Sequence, residues 1–257
     1  MTQPSLFVSH GSPMIVLNPS PARDFLEHWA QGRENPRAII VASAHYEAPG
    51  PSLSSAPAPK TIHDFGGFPD ALFQMQYPAP GAPEIAARAR PLLTQAGFAP
   101  RLDPARGIDH GVWTPLKLMY PAADVPVVDL SVDPGQSAAW HYKVGQALKP
   151  LRDDGVMIIG SGSATHNLSE YFRPHGPATP AWVTGFEDWL FHAIAEGRTD
   201  DLLNYRTRAP DAARNHPSEE HILPLFVALG AGGVGAGQRL HQSYDRVLAM
   251  DCYAFGA

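Results

Sequence analysis

The sequence predicts an α/β fold: a single domain, residues 1–257, with a largely parallel central sheet flanked by helices. Two observations predict it. Short apolar, β-branched runs alternate along the chain with longer segments of helical period, the pattern of strand–helix–strand units. No internal repeat and no long linker divides the chain, whose 257 residues suffice for one large core.

The strand candidates are Leu6-Phe7-Val8, Ala38 to Ala42, Val125 to Leu130 and Val156 to Ile159. Each is too short for a helix and, Asp129 apart, apolar throughout, as a strand covered on both faces requires. Pro83 to Ala96 reads as a helix because it opens on Pro and stops before Gly97. Ser137 to Leu151 carries Trp140, Val144 and Leu148 at helical spacing, and Pro180 to Ala195 carries Trp182, Phe186, Trp189 and Ile194. Val112 to Met119 and Ser218 to Leu229 complete the helices, the last placed between Pro217 and Gly230. The Pro-rich stretch Ala48 to Lys60 reads as a surface excursion.

Composition excludes several functions. Charged residues make up only 17% of the chain and the net charge is −6, so no basic stripe is available to neutralise nucleic-acid phosphates. Lys and Arg are scattered, with Arg88 and Arg90 on one solvated helix face. The single cysteine, Cys252, rules out an intrachain disulfide or a Cys-rich zinc site. No segment has a signal-peptide pattern and no run approaches ~18 apolar residues, so a cytoplasmic location without membrane partners is expected.

The chemistry lies in the histidines. His10, His45 and His166 each follow an apolar strand, in Phe7-Val8-Ser9-His10-Gly11, Val41-Ala42-Ser43-Ala44-His45 and Ile158-Ile159-Gly160-Ser161-Gly162-Ser163-Ala164-Thr165-His166. Ligands of open α/β sheets bind outside the carboxyl ends of the strands, so these imidazoles are able to converge. One strand-end histidine is usually a hydrogen-bonded turn residue; three are harder to explain so. Neutral imidazole is also the commonest side-chain ligand for zinc, iron and copper.

His110 stands beside Asp109 at the start of a helix, where Asp109 reads equally as a helix cap. In Asn215-His216-Pro217-Ser218-Glu219-Glu220-His221, the two histidines are five apart with Pro217 between them. That spacing excludes a zinc-protease helix, which needs histidines at i and i+4; His221, placed in the first turns of a helix, is the better ligand. His63 and Asp64, in the Gly-rich and aromatic loop Thr61 to Pro69, suit a substrate-binding pocket wall. His28, His141, His175 and His192 read as structural or exposed. Gly160-Ser161-Gly162-Ser163-Ala164 does not fit the Gly-x-Ser-x-Gly nucleophile elbow.

Seven short motifs in order carry a family resemblance: His10-Gly11-Ser12-Pro13; Ser43-Ala44-His45; the Thr61 to Pro69 loop; Tyr77-Pro78-Ala79-Pro80-Gly81; Asp109-His110-Gly111-x-Trp113; His166-Asn167-Leu168; and Glu220-His221-x-Leu223-Pro224-Leu225. Together they resemble the class III (LigB-type) extradiol ring-cleavage dioxygenases, in the DOPA 4,5-dioxygenase branch. Tyr46 stands where that branch typically has Trp, and the likeness fades after Gly230, leaving His241 and Tyr244 without a role. The resemblance implies a non-haem metal held by His10, His45 and His221. It implies an acid/base role for His166 and a substrate- or oxygen-contacting role for His110. The partners it implies are a small catechol, such as DOPA or caffeate, and O2; a homodimer is the base-rate assembly. Fe(II) is expected for activity, and Zn(II) is able to occupy the same site in purified protein. Two other functions share these residues: a zinc-dependent hydrolase, since three His and a water form a known catalytic zinc site, and a non-catalytic binding protein of the same fold.

Overall fold

In the computed structural model, which describes residues 2–176 and 178–256, the strands are β1 (Ser5–Ser9), β2 (Ala38–Glu47), β3 (Ser52–Ser54), β4 (Arg101–Asp103), β5 (Val127–Val132), β6 (Val156–Gly162), β7 (Gln238–His241), β8 (Tyr244–Asp245), β9 (Leu248–Ala249) and β10 (Cys252–Phe255). Eight of them form one sheet in the order β4-β3-β5-β2-β6-β1-β10-β7, while β8 and β9 pair separately. The central strands β5, β2, β6 and β1 run parallel, and β10 and β7 extend the sheet antiparallel. The fold is therefore α/β with a largely parallel sheet, as the alternating pattern predicts.

The central strands are buried on both faces, which explains their unbroken apolar runs. Alternate β2 residues point opposite ways: Ile39 and Val41 join the core beneath the Pro21–Trp29 and His110–Met119 helices, whereas Ala38, Ile40 and Ala42 face the Pro83–Gln95 and Ala138–Leu148 helices. The apolar Leu223–Gly232 helix is buried along its whole length against β6 and β1. No helix among the described residues is long and apolar enough to cross a membrane.

Three local expectations change. The Pro-rich Ala48–Lys60 stretch contains β3, which is buried and pairs with β4 and β5. The last long helix begins at Leu223, not Ser218, because the residues after Pro217 close turns on Glu219 O; His221 thus sits in the turn that enters the helix. The segment after Gly230 is integral, since β10 pairs with β1 and completes the sheet.

Candidate metal centre and active site

Parallel pairing brings the carboxyl ends of β2, β6 and β1 to one edge. The register sets Ser9 against Gly162 and Ser43 against Ser161, so the residues just beyond these pairs emerge side by side. His10 follows β1, His45 lies in the last turn of pleat in β2, and His166 follows the loop after β6. His221 comes from the opposite direction, carried by the helix entrance against β6. A Cβ on Gly162 would lie 2.0 Å from His221 O, and Ser163 N–H donates to that same carbonyl at 2.9 Å. Glycine at 162 is thus what lets this turn approach the strand.

Five histidines converge there. Ring centroids of His10 lie 5.0 Å from His45 and 5.5 Å from both His110 and His221. His45 and His110 approach to 3.8 Å, and His166 stacks on His221 at 3.5 Å with the rings 10° apart. One ring nitrogen from each of His10, His45 and His221 lies within 4.8 Å of the others.

Hydrogen bonding fixes the free nitrogen of two of these rings, His10 and His221. Ser161 Oγ donates its only proton to Gly111 O, so it must accept from His10 Nδ1–H at 3.0 Å. His221 Nδ1–H donates to Glu220 Oε1 at 2.8 Å, and His45 Nδ1 faces Asp64 Oδ2 at 3.4 Å. Nδ1 is thus the committed donor in His10 and His221, whose Nε2 atoms carry lone pairs, while among the described residues His45 makes no hydrogen bond through Nδ1. The Nε2 atoms of His10 and His45 face each other at 3.1 Å. That spacing suits a His45 Nε2–H donated to His10 and equally two ligands of one ion, since nitrogens on a tetrahedral ion stand roughly 3–3.5 Å apart. The donor set therefore fits a metal ion, with ring orientations held from behind as such sites require.

Electrostatics agree. Burial, then the neighbouring imidazoles, holds His10 and His221 well below the ordinary histidine range. Burial and His110 push His45 to about 3 against the pull of Asp64. His166 falls to about 4, burial outweighing the Glu220 carboxylate. Neutral imidazoles are the metal-binding form. Burial opposes the Asp64 carboxylate, but hydrogen bonds and charge from His110 outweigh it and lower the group to about 2.

His110 is tied to Asp64 twice, Nδ1–H to Oδ2 at 2.8 Å and backbone N–H to Oδ1 at 2.9 Å. Asp109 begins the helix without capping it by its side chain. Its carboxylate accepts from Ser43 Oγ (2.7 Å) and Arg106, and Arg106 also reaches His45 O at 3.4 Å. His63 stands apart from the five: its Nε2–H donates to Met75 O at 2.9 Å, and its ring packs among Phe65, Phe73 and Trp113. Phe65 carries this aromatic wall to His110, 5.6 Å away. His216 is buried with Nε2 on Ala164 O, and His241 stacks on Phe25; neither joins the cluster. Ser161 and Glu220 hold cluster histidines by hydrogen bonds that the sequence alone did not single out. Glu220 had a signal, an acid beside a histidine, whereas the bond of Ser161 to His10 joins residues 151 apart in the chain.

Known proteins share this arrangement's sequence. The family model described as the catalytic LigB subunit of aromatic ring-opening dioxygenase matches residues 4–256. A protein of Beta vulgaris named 4,5-DOPA dioxygenase extradiol is 44% identical over 98% of this chain and 96% of its own length. One of the same name from Escherichia coli K12 is 41% identical over 89% and 84%. The crystal structure of an uncharacterized Escherichia coli K12 protein superposes with a TM-score of 0.81 at 32% identity, covering 99% of this chain and 100% of that one. The match extends through β10, beyond the point where the motifs fade. With that coverage, the chain belongs to the LigB family of aromatic ring-opening dioxygenases.

Proposed function

We propose that the protein cleaves the ring of DOPA- or caffeate-like catechols next to the diol, adding both atoms of O2 to give a muconic semialdehyde, with Fe(II) as its metal. The single observation that carries this reading is the convergence of ring nitrogens of His10, His45 and His221 within 4.8 Å of one another, at the carboxyl edge of the sheet. In this reading His10, His45 and His221 hold the ion. Fe(II) held there would supply the charge that the two catechol oxygens chelate and electron density for O2. Three neutral ligands leave the ion's charge free to favour a catecholate.

His166 and His110 flank the ligand set and act on substrate. His166 takes a catechol proton on the nitrogen turned away from Glu220 and later returns it, a general acid/base role. His110, its Nδ1–H given to Asp64, presents Nε2 toward the same space. The aromatic wall of Phe65 and Phe73, with His63 and backed by the buried Trp113, offers an apolar face to the ring.

The test is anaerobic reconstitution of metal-free protein with Fe(II) or Zn(II), then O2 uptake and absorbance scans with L-DOPA and caffeate. Oxygen consumption with a yellow product, for Fe(II) alone, is the expected result. Tight metal binding with no O2 uptake on any catechol would instead favour a zinc hydrolase or a non-catalytic binder.

A further inference from the structure

Two carboxylates occupy matching places around the cluster. Asp64 Oδ2 accepts from His110 Nδ1 at 2.8 Å and faces His45 Nδ1 at 3.4 Å. Glu220 Oε1 accepts from His221 Nδ1 at 2.8 Å and faces His166 Nδ1 at 3.9 Å. Each therefore spans one histidine of the metal set and one that faces substrate. In each case the two imidazoles are also in ring contact, His45 with His110 and His221 with His166. His10 lies between the two pairs and is held by the uncharged Ser161.

Both carboxylates are themselves fixed. Asp64 Oδ1 takes the backbone N–H of His110, which ties the Thr61–Pro69 loop to the helix that starts there. Glu220 Oε1 also accepts from Ser218 Oγ at 3.2 Å. Three imidazoles bring no charge to a divalent ion. Asp64 and Glu220 bring two negative charges close behind the ligand rings, Glu220 through a hydrogen bond to His221 and Asp64 at 3.4 Å from His45 Nδ1. A carboxylate on the far nitrogen fixes the ring's tautomer and raises its donor strength.

We propose that Asp64 and Glu220 are paired positioning residues, each setting one metal-ligand histidine and one substrate-facing histidine together. This rests on the metal-site reading above. Its consequence is coupling: loss of either carboxylate weakens metal binding and slows turnover of the loaded enzyme in the same variant. Changing the substrate-facing His166 alone should separate those two effects.

The experiment uses the full chain with Asp64→Ala, Asp64→Asn, Glu220→Ala, Glu220→Gln and His45→Ala. Zn(II) affinity is read by competition with a chromophoric chelator, and kcat and KM are read at saturating Fe(II). The ring-nitrogen tautomers of the metal-free protein are read by long-range 15N NMR. The alanine variants are expected to bind one ion about 10–100-fold more weakly and to lose activity by a similar factor. Glu220→Ala should also lose the fixed Nδ1–H form of His221. The amides, which keep volume and an acceptor oxygen but no charge, should fall between. They also keep the test valid if an alanine variant does not fold.

Wild-type affinity and kcat in all four carboxylate variants, beside a His45→Ala protein that binds no ion, would overturn this proposal alone. A carboxylate variant as devoid of metal as His45→Ala would overturn it too, by making that carboxylate a direct ligand. His45→Ala with full affinity would sink the metal reading, and this proposal with it.

Discussion

His10, His110 and His221 each have Nδ1 committed to a hydrogen-bond partner, and this orientation makes the site specific at the scale of single residues. His166→Ala should keep one metal ion but lower kcat by about 10²–10⁴-fold, the usual worth of a positioned acid/base. His45→Ala should lose the ion. Metal content by mass spectrometry beside O2-electrode rates checks both, and normal turnover of His166→Ala would remove its acid/base role. Strand-end position is enough to single out His10, His45 and His166 in the sequence. Asp109 was less legible. Its place before a helix fits a cap, yet Ser43, 66 residues earlier in the chain, takes its carboxylate instead. Neighbours in sequence say little about partners across strands.

At the scale of elements, the site depends on how closely the Leu223–Gly232 helix approaches β6. Gly160 and Gly162 allow this, since added Cβ atoms would lie 2.0 Å from Pro224 O and His221 O. Both obstacles are backbone, which cannot rotate aside as a side chain would. Gly162→Ala should therefore cost roughly 1–3 kcal/mol, as overpacking does, and should weaken metal affinity because His221 moves with the turn. Urea unfolding and chelator titration measure the two effects; an unchanged midpoint would show that the turn relaxes freely. The helix itself was visible as an apolar run after Pro217, but its start was not. Whether Ser218 to Ile222 continues a helix or closes turns depends on the contacts of His221 and Glu220, which local propensity does not contain.

For the whole molecule, one buried polar group ties distant segments together. Arg152, only 2% exposed, donates to Gln3 O (2.6 Å), Ala231 O (2.8 Å), Gly232 O (3.1 Å) and Gly256 O. It thus joins the segment before β1, the end of the Leu223–Gly232 helix and the segment after β10. Arg152→Met would leave these carbonyls unpaired and should destabilise the fold by about 3–5 kcal/mol, measurable as a lower thermal midpoint; no change would mean that water replaces the guanidinium.

His141 gives stability a pH dependence. It is buried, and burial lowers it to about 4, while its Nε2 accepts from Asp133 N–H at 3.1 Å. The unfolded chain binds this proton near the usual pKa of about 6.5. The His141 contribution is therefore complete above that pH and is lost as pH falls through the window from about 6.5 to about 4. It is worth about 3 kcal/mol at most. His141→Asn should flatten the pH dependence of the unfolding free energy in that window; an unchanged slope would assign it to other groups.

The sequence by itself determined the α/β class, because runs buried on both faces must be apolar and the helices between them must show their own period. It also determined which histidines would leave strand ends, because parallel strands present those ends on one edge. Tertiary structure alone decided the rest. Register set Ser161 behind His10, a close helix approach delivered His221, and loop packing put Asp64 and Glu220 behind the rings. Each of these is a contact between segments whose pairing is chosen by the fold as a whole, and no local pattern in the chain encodes it.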